Sequence, residues 1–253
     1  MKIFREIRVR MLKENKLTRY LIYGIGEIIL LVIGILIAVA INNWNINKTH
    51  LNREIKYLKN IKLDLRKDLA SLKFNLEFRK RKYKGINKLI GQINGQPIED
   101  VTELTINVFH SLMEERFTPN NSTYNELANS GNLNLITNDT IKILLLELEE
   151  NYKTNNFGIE HETHDYREFI SKPLFKFIKA KQLIPVYSGE KTIKQQHITK
   201  ANFAKLFKSQ EYENGLVITN LITLDLIGLY ETMEIKSKKI IKLIEIQLEQ
   251  FEK

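Results

Sequence analysis

The longest hydrophobic block lies near the N-terminus. From Leu21 to Ile41 the chain reads LIYGIGEIILLVIGILIAVAI, with Glu27 its one charged residue. A helix of that length covers the roughly 30 Å hydrocarbon core of a bilayer at about 1.5 Å per residue. Tyr20 and Tyr23 stand at one end and Trp44 at the other, where interfacial aromatics belong. The pattern predicts a transmembrane helix over 21–41. Cleavage as a signal peptide is the rival reading, because Ala38-Val39-Ala40 has a small-x-small form. Against it, the run is too long for an h-region, and no helix-breaking polar stretch precedes the alanines.

After Trp44 the pattern becomes amphipathic. Leu51, Ile55, Leu58, Leu65, Leu69, Leu72, Leu76, Tyr83, Ile86 and Ile90 keep a heptad spacing, interrupted by Lys62 and Arg79. This predicts a stalk helix over 44–92, ended by Gly91, Gly95 and Pro97. Such a helix forms a coiled coil with a second copy or packs within its own chain. Phe74 and Phe78, off the stripe, favour packing in a bundle.

Further helices are predicted downstream. One covers Val101 to Phe117, followed by a loop at Pro119-Asn120-Asn121. Thr123 and Glu126 have capping-box spacing for a short helix that Gly131 ends. Asn138 or Asp139 caps the next helix, with a stripe of Ile141, Leu145, Leu148, Tyr152, Ile159, Tyr166 and Ile170, until Pro173 breaks or kinks it. Gln182 to His197 reads as irregular. A last helix carries Ile222, Leu226, Leu229, Met233, Ile240, Ile244, Leu248 and Phe251, and its charges argue against spanning a membrane. The expected fold is mainly α: one N-terminal transmembrane helix continuing into a long stalk helix and an antiparallel helical bundle. The expected domains are a basic juxtamembrane leader (1–20), the span (21–41), the stalk (44–92) and a helical-bundle domain packed with the stalk (98–253).

Within the span, Glu27 stands out. A carboxylate in an apolar helix costs about 2.5–3.5 kcal/mol on insertion scales, less near an interface. Gly24, Glu27, Leu31, Gly34, Ala38 and Ile41 recur at three- and four-residue steps and line one face. Gly34 and Ala38 form a small-xxx-small pair that lets two backbones approach. Gly24, Glu27, Gly34 and Ala38 are therefore candidates for transmembrane packing, against a second copy or a partner membrane protein. In the alternative, the helix stays monomeric and Glu27 reaches toward Arg19 or water.

Charge sharpens this picture. The formal net charge is +9, and Lys2, Arg5, Arg8, Arg10, Lys13, Lys16 and Arg19 all precede the span. They are candidates for contact with anionic lipid headgroups, each worth about 1 kcal/mol near the surface. Lys48, Arg53, Lys56 and Lys59 follow the span, so the positive-inside bias is slight. It favours a bacterial inner-membrane protein with a cytoplasmic N-terminus and a periplasmic C-terminal domain. Cysteine is absent, which excludes disulfides, thiolate metal sites and cysteine nucleophiles.

Candidate chemistry is sparse. In Glu160-His161-Glu162-Thr163-His164-Asp165, His161 shares a helix face with His164 and Asp165. Asp165 stands where the zincin motif needs its second histidine, and a third ligand is not apparent. The run reads as a solvated polar face, with no metal and no cofactor expected. Arg79-Lys80-Arg81-Lys82-Tyr83-Lys84 reads as a solvated basic face, or as a site for an anionic polymer or lipid. Tyr124 to Tyr152 has a helix–turn–helix outline, but Glu147, Glu149 and Glu150 sit where a DNA-reading helix needs basic or amide groups, so nucleic acid is not expected.

The runs YGIGEIILLVIGILIAVAINNWN (Tyr23 to Asn45), after a basic FREIR leader, and YNELANSGNLNLITNDTIKILLLELEENY (Tyr124 to Tyr152) carry a resemblance to a known family. The chain resembles the single-pass proteins catalogued as domain of unknown function 6090, mainly from Bacteroidota. The resemblance implies a membrane location and no activity. The leading expectation is a membrane-anchored interaction, scaffold or sensory-type module, not an enzyme. The alternatives are a tethered binder of anionic polymer or lipid, and an enzyme whose site is scattered in sequence.

Overall fold

The computed structural model describes residues 5, 6, 9, 17–189 and 198–252, with side chains in the first long helix described from Leu21. Among the described residues the secondary structure is helical, and no strand occurs. The fold is mainly α, as the periodicity predicts.

The first element, α1, runs Leu17–Ile93 as one helix. It contributes to two compact units, 1–56 and 57–253. In the first unit, no residue from Leu21 to Ile41 is buried. Lys48 Nζ lies 5.3 Å above the Trp44 ring. Two helices are long and apolar enough to cross a membrane by length and composition. One is α1; the other is α9, Gln210–Phe251. The apolar window of α1 is 0% buried and that of α9 39% buried.

The second unit is built on the rest of α1, on α4 (Asp139–Asn156) and on α9. Pairs between α1 and α9 step in opposite directions along the two helices. Arg66 meets Glu245 at 2.8 Å, Lys80 meets Glu231 at 2.6 Å, and Asn220 donates to Asn87 at 2.9 Å. The two helices are therefore antiparallel. Helix α9 also runs antiparallel to α4, since Lys236 meets Glu147 and Gln247 donates to Thr137.

The buried seam of α1 is Leu58, Ile61, Leu65, Asp68, Leu72, Asn75, Arg79, Lys82, Ile86 and Leu89. That is an unbroken alternation of three and four residues, the spacing that keeps one stripe on a helical partner. The apolar pattern predicts this line in part: Leu58, Leu65, Leu72 and Ile86 lie on it, and Leu76 is buried beside it. Leu69, Tyr83 and Ile90 are only half-buried, and Arg79, expected to interrupt the stripe, lies on it. The seam of α9 runs through Tyr212, Leu216, Thr219, Thr223, Leu226, Tyr230, Met233, Ser237, Ile240, Ile244 and Gln247. Ile222 and Leu229 fall beside it, half-buried.

Smaller elements close the end of the bundle where α1 stops and α9 starts. They are α2 (Val101–Ser111), a π-helix (Tyr166–Ser171), α6 (Lys172–Phe177), α7 (Ile184–Tyr187) and α8 (Lys200–Ala204). Ile86, Leu104, Val108, Ile170, Phe203 and Leu216 share one core there. Pro173 cannot offer an N–H to the carbonyl four residues back, that of Phe169. The helix widens to the π form at that point. The Phe169 carbonyl faces α9 at Gly215, where an added Cβ would lie 2.4 Å from the oxygen. Only glycine permits that approach.

Local expectations met mixed outcomes. Helix α3 covers Ser122–Asn129, and Gly131 follows it at φ +69°. The capping box does not form: Thr123 Oγ1 donates to Asp64 at 2.5 Å, and Glu126 accepts from Tyr57 at 2.9 Å. Asn138 caps α4 by accepting from the Ile141 N–H. That helix ends at Asn156, short of the predicted run, because Phe157 is extended and Gly158 takes φ +80°. Helix α5 (Ile159–Asp165) starts afresh, and Ile159 is exposed. Helix α2 stops at Ser111, short of Phe117, and residues 112–121 cross the bundle without regular structure. The irregular stretch expected to His197 lies outside the described residues from 190 onward.

Candidate functional site

A non-helical segment that packs across a bundle shields some of its unpaired backbone groups from water. Each must find a partner or forfeit about 1–3 kcal/mol. The 112–121 strap is such a segment, and its partners are the polar residues on the seams. Lys82 Nζ donates to the Met113 carbonyl at 2.6 Å. Arg79 Nη2 donates to the Glu115 carbonyl at 2.5 Å. The Phe117 N–H donates to the Tyr230 hydroxyl at 3.1 Å, and its carbonyl accepts from Asn155 Nδ2 at 2.9 Å. The Asn120 N–H donates to Asp68 at 2.8 Å. Asp68, Arg79, Lys82 and Tyr230 thus occupy core positions because the strap needs donors and acceptors there.

The charges need balancing as well. Arg79 is 0% and Lys82 1% exposed. Glu162, on α5, turns inward and is itself buried. Its Oε1 accepts from Arg79 Nη1 at 2.8 Å and its Oε2 from Arg116 Nε at 2.6 Å. Arg116, a residue of the strap, also donates to the Asn155 carbonyl. Burial alone would raise the Glu162 carboxyl; Arg79 and Arg116 outweigh it and hold the group below the usual carboxylate range. With both oxygens engaged, Glu162 is an ionised structural partner, not a proton acceptor. Burial, reinforced by the Arg79 charge, lowers the Lys82 ammonium to about 8. Burial also raises Asp68, against the opposing hydrogen bonds of the Asn120 N–H and Tyr152.

This corrects two expectations. The basic run is not one solvated face: Lys80, Arg81 and Lys84 are exposed, whereas Arg79 and Lys82 are buried. Nor is the acidic-histidine run a solvated face throughout, because Glu162 at its centre is withdrawn into the core. His161 and His164 stay exposed. Among the described residues no group of three His, Cys, Asp or Glu is placed to hold a metal ion. Beside the cluster lies an open cleft of about 480 Å³, walled by Phe157, Leu226 and Leu229, with Arg116 and His161 on its lining.

The span residues Gly24, Glu27, Gly34 and Ala38 lie on α1 outside the bundle unit, and a Cβ at Gly24 or Gly34 would meet nothing within 4 Å. Of the leader residues, Arg5 is exposed. Lys2, Arg8, Arg10, Lys13, Lys16 and the Arg19 side chain lie outside the described residues. The sequence did not mark Asp68, Asn155 or Tyr230, and it placed Glu162 only within the acidic-histidine run. The signal available for Asp68 and Arg79 was the unbroken three-four spacing once polar residues are admitted to it.

The family model described as "Family of unknown function (DUF6090)" matches residues 27–178, more than half of the chain. The chain belongs to that family. No curated protein and no solved structure matches it. The region matched to DUF6090 opens at Glu27 in the apolar run and ends at Ile178. It contains the strap, Arg79, Arg116 and Glu162; the α9 partners, Tyr230 among them, lie beyond it. Membership of DUF6090 carries no activity with it.

Proposed function

We propose that this DUF6090 protein is a single-pass membrane protein serving as an interaction, scaffold or sensory-type module, with no enzymatic step of its own. The carrying observation is the exposed apolar run. Residues 21–41 form a helix with no buried residue and one charge, a surface that water does not tolerate over that length. Helix α9, the other apolar candidate, turns its window partly into a protein core.

In this reading Lys2, Arg5, Arg8, Arg10, Lys13, Lys16 and Arg19 meet anionic headgroups on the cytoplasmic side of a bacterial inner membrane. The bundle lies in the periplasm. Gly24, Glu27, Gly34 and Ala38 face a second copy across the membrane, where the small residues allow close backbone approach and Glu27 finds a polar partner.

The absence of native cysteine makes the test direct. Single substitutions Gly34→Cys and Ala38→Cys should crosslink in native membranes, and Leu36→Cys should not. The pair Glu27→Leu and Gly34→Ile should abolish the Ala38→Cys crosslink. Lys253→Cys should react with an impermeant maleimide added outside the inner membrane. Release of the chain by alkaline carbonate would overturn the membrane reading. Uniform crosslinking around the helix would overturn the packing face.

A further inference from the structure

Withdrawing Arg79 and Lys82 into the core leaves the other half of the basic run facing outward. Lys80, Arg81 and Lys84 line a groove of about 710 Å³ between α1 and α9, together with Lys73 and, from α9, Lys238. Two carboxylates, Glu77 and Glu234, share the lining. Glu234 is taken by Lys238 at 2.5 Å, and Lys80 by Glu231 at 2.6 Å. Lys73, Arg81 and Lys84 make no ion pair among the described residues. The groove therefore holds three cations that their own protein leaves uncompensated, against Glu77 alone.

We propose that this groove binds a linear, sparsely charged acidic polysaccharide. The proposal goes beyond the membrane reading and stands on different residues. Shape supplies the first argument. The cations sit in a concave channel between two antiparallel helices, which admits a chain and holds a flat headgroup layer away. Charge spacing supplies the second. Lys73, Arg81 and Lys84 step about 12 Å and 4.5 Å along α1. A double-stranded nucleic acid carries one charge about every 1.7 Å of its axis, so it would leave most of its charges unmet here. A polymer with one carboxylate or phosphate every sugar or two matches the wider step. The third argument is composition: among the described residues no aromatic ring lines the groove, and single-stranded nucleic acids depend on such rings for stacking. Lysine, the commonest cation here, acts as a point charge that accepts carboxylate and phosphate alike.

The test uses the full chain in a non-ionic detergent and a fluorescent polyuronate oligosaccharide as probe, with binding read by anisotropy across a salt series. Binding should weaken as salt rises. The triple variant Lys73→Gln, Arg81→Gln, Lys84→Gln should bind at least tenfold more weakly and with a shallower salt slope. A second triple variant, Lys176→Gln, Lys181→Gln, Lys205→Gln, changes exposed lysines elsewhere and should bind within twofold of the parent. Absence of binding by the parent, or equal loss in both variants, would overturn the groove. Tighter binding of an oligothymidylate, or of vesicles containing phosphatidylglycerol, lost in the first variant alone, would overturn the polysaccharide assignment. None of these outcomes depends on whether the chain crosses a membrane.

Discussion

At the scale of the residue, Lys82 gives the bundle a pH dependence of known sign. Its folded-state value of about 8 lies below the roughly 10.4 of an unfolded lysine. Between those values the unfolded chain binds the proton that the folded chain has released, so this residue's contribution grows as pH rises through the window. The unfolding free energy of wild type minus that of Lys82→Met should rise by up to about 3 kcal/mol from pH 8 to 10. Denaturant titrations at a series of pH values measure it. Glu162 acts in the same direction, in an acid window. Its lowered value means stability present above about pH 4.3 and lost as pH falls through the folded value. Replacing it by glutamine leaves Arg79, fully buried, and Arg116, half-buried, without that counter-ion. Glu162→Gln should cost roughly 3–5 kcal/mol at pH 7, and Glu162→Asp less, in the same titrations.

At the scale of the element, the strap and the π-helix decide how the long helices meet. The strap was not legible as such. Its residues continue an acceptable helical pattern past Ser111, and what keeps them non-helical is a set of donors and acceptors on other elements. Lys82, Arg79 and Asn155 are 31, 36 and 38 residues from their strap partners, Asp68 is 52 and Tyr230 113. Helix α1 itself was legible, since its period persists without a breaker until Gly91. Its buried line was legible only in part, because a count of apolar side chains passes over polar ones that a distant backbone has matched. The π-helix packs on α9, and Gly215 is one point of close backbone approach. Gly215→Ala would press a methyl against the Phe169 carbonyl, backbone that cannot rotate aside. It should destabilise the bundle by about 1–3 kcal/mol, read as a lower denaturation midpoint. Gly228→Ala, with open space around its Cβ, should be neutral or slightly stabilising.

At the scale of the whole molecule, the chain combines a bundle with a buried core and an apolar helix with no buried residue from Leu21 to Ile41. The membrane reading follows from that contrast. An arginine in the middle of the run, at Ile33, should cost about 2.5–3.5 kcal/mol on insertion scales and lower the carbonate-resistant fraction of the protein. An arginine at Leu63, exposed on the bundle, should leave that fraction unchanged.

The sequence by itself determined the apolar run, the helical class, most helix starts and the family, because each rests on neighbours within a few turns. Periodicity, caps and composition are local quantities. Only the tertiary structure decided which charges are surface and which are core. In the run Arg79 to Lys84, five cations in six positions are equivalent to a reader of composition. Two of them turn inward because a strap and a buried glutamate lie on that side of α1, and three turn outward because α9 forms a groove on the other. The free energy of a buried charge is set by the partners that surround it, and those partners come from parts of the chain that sequence order keeps apart.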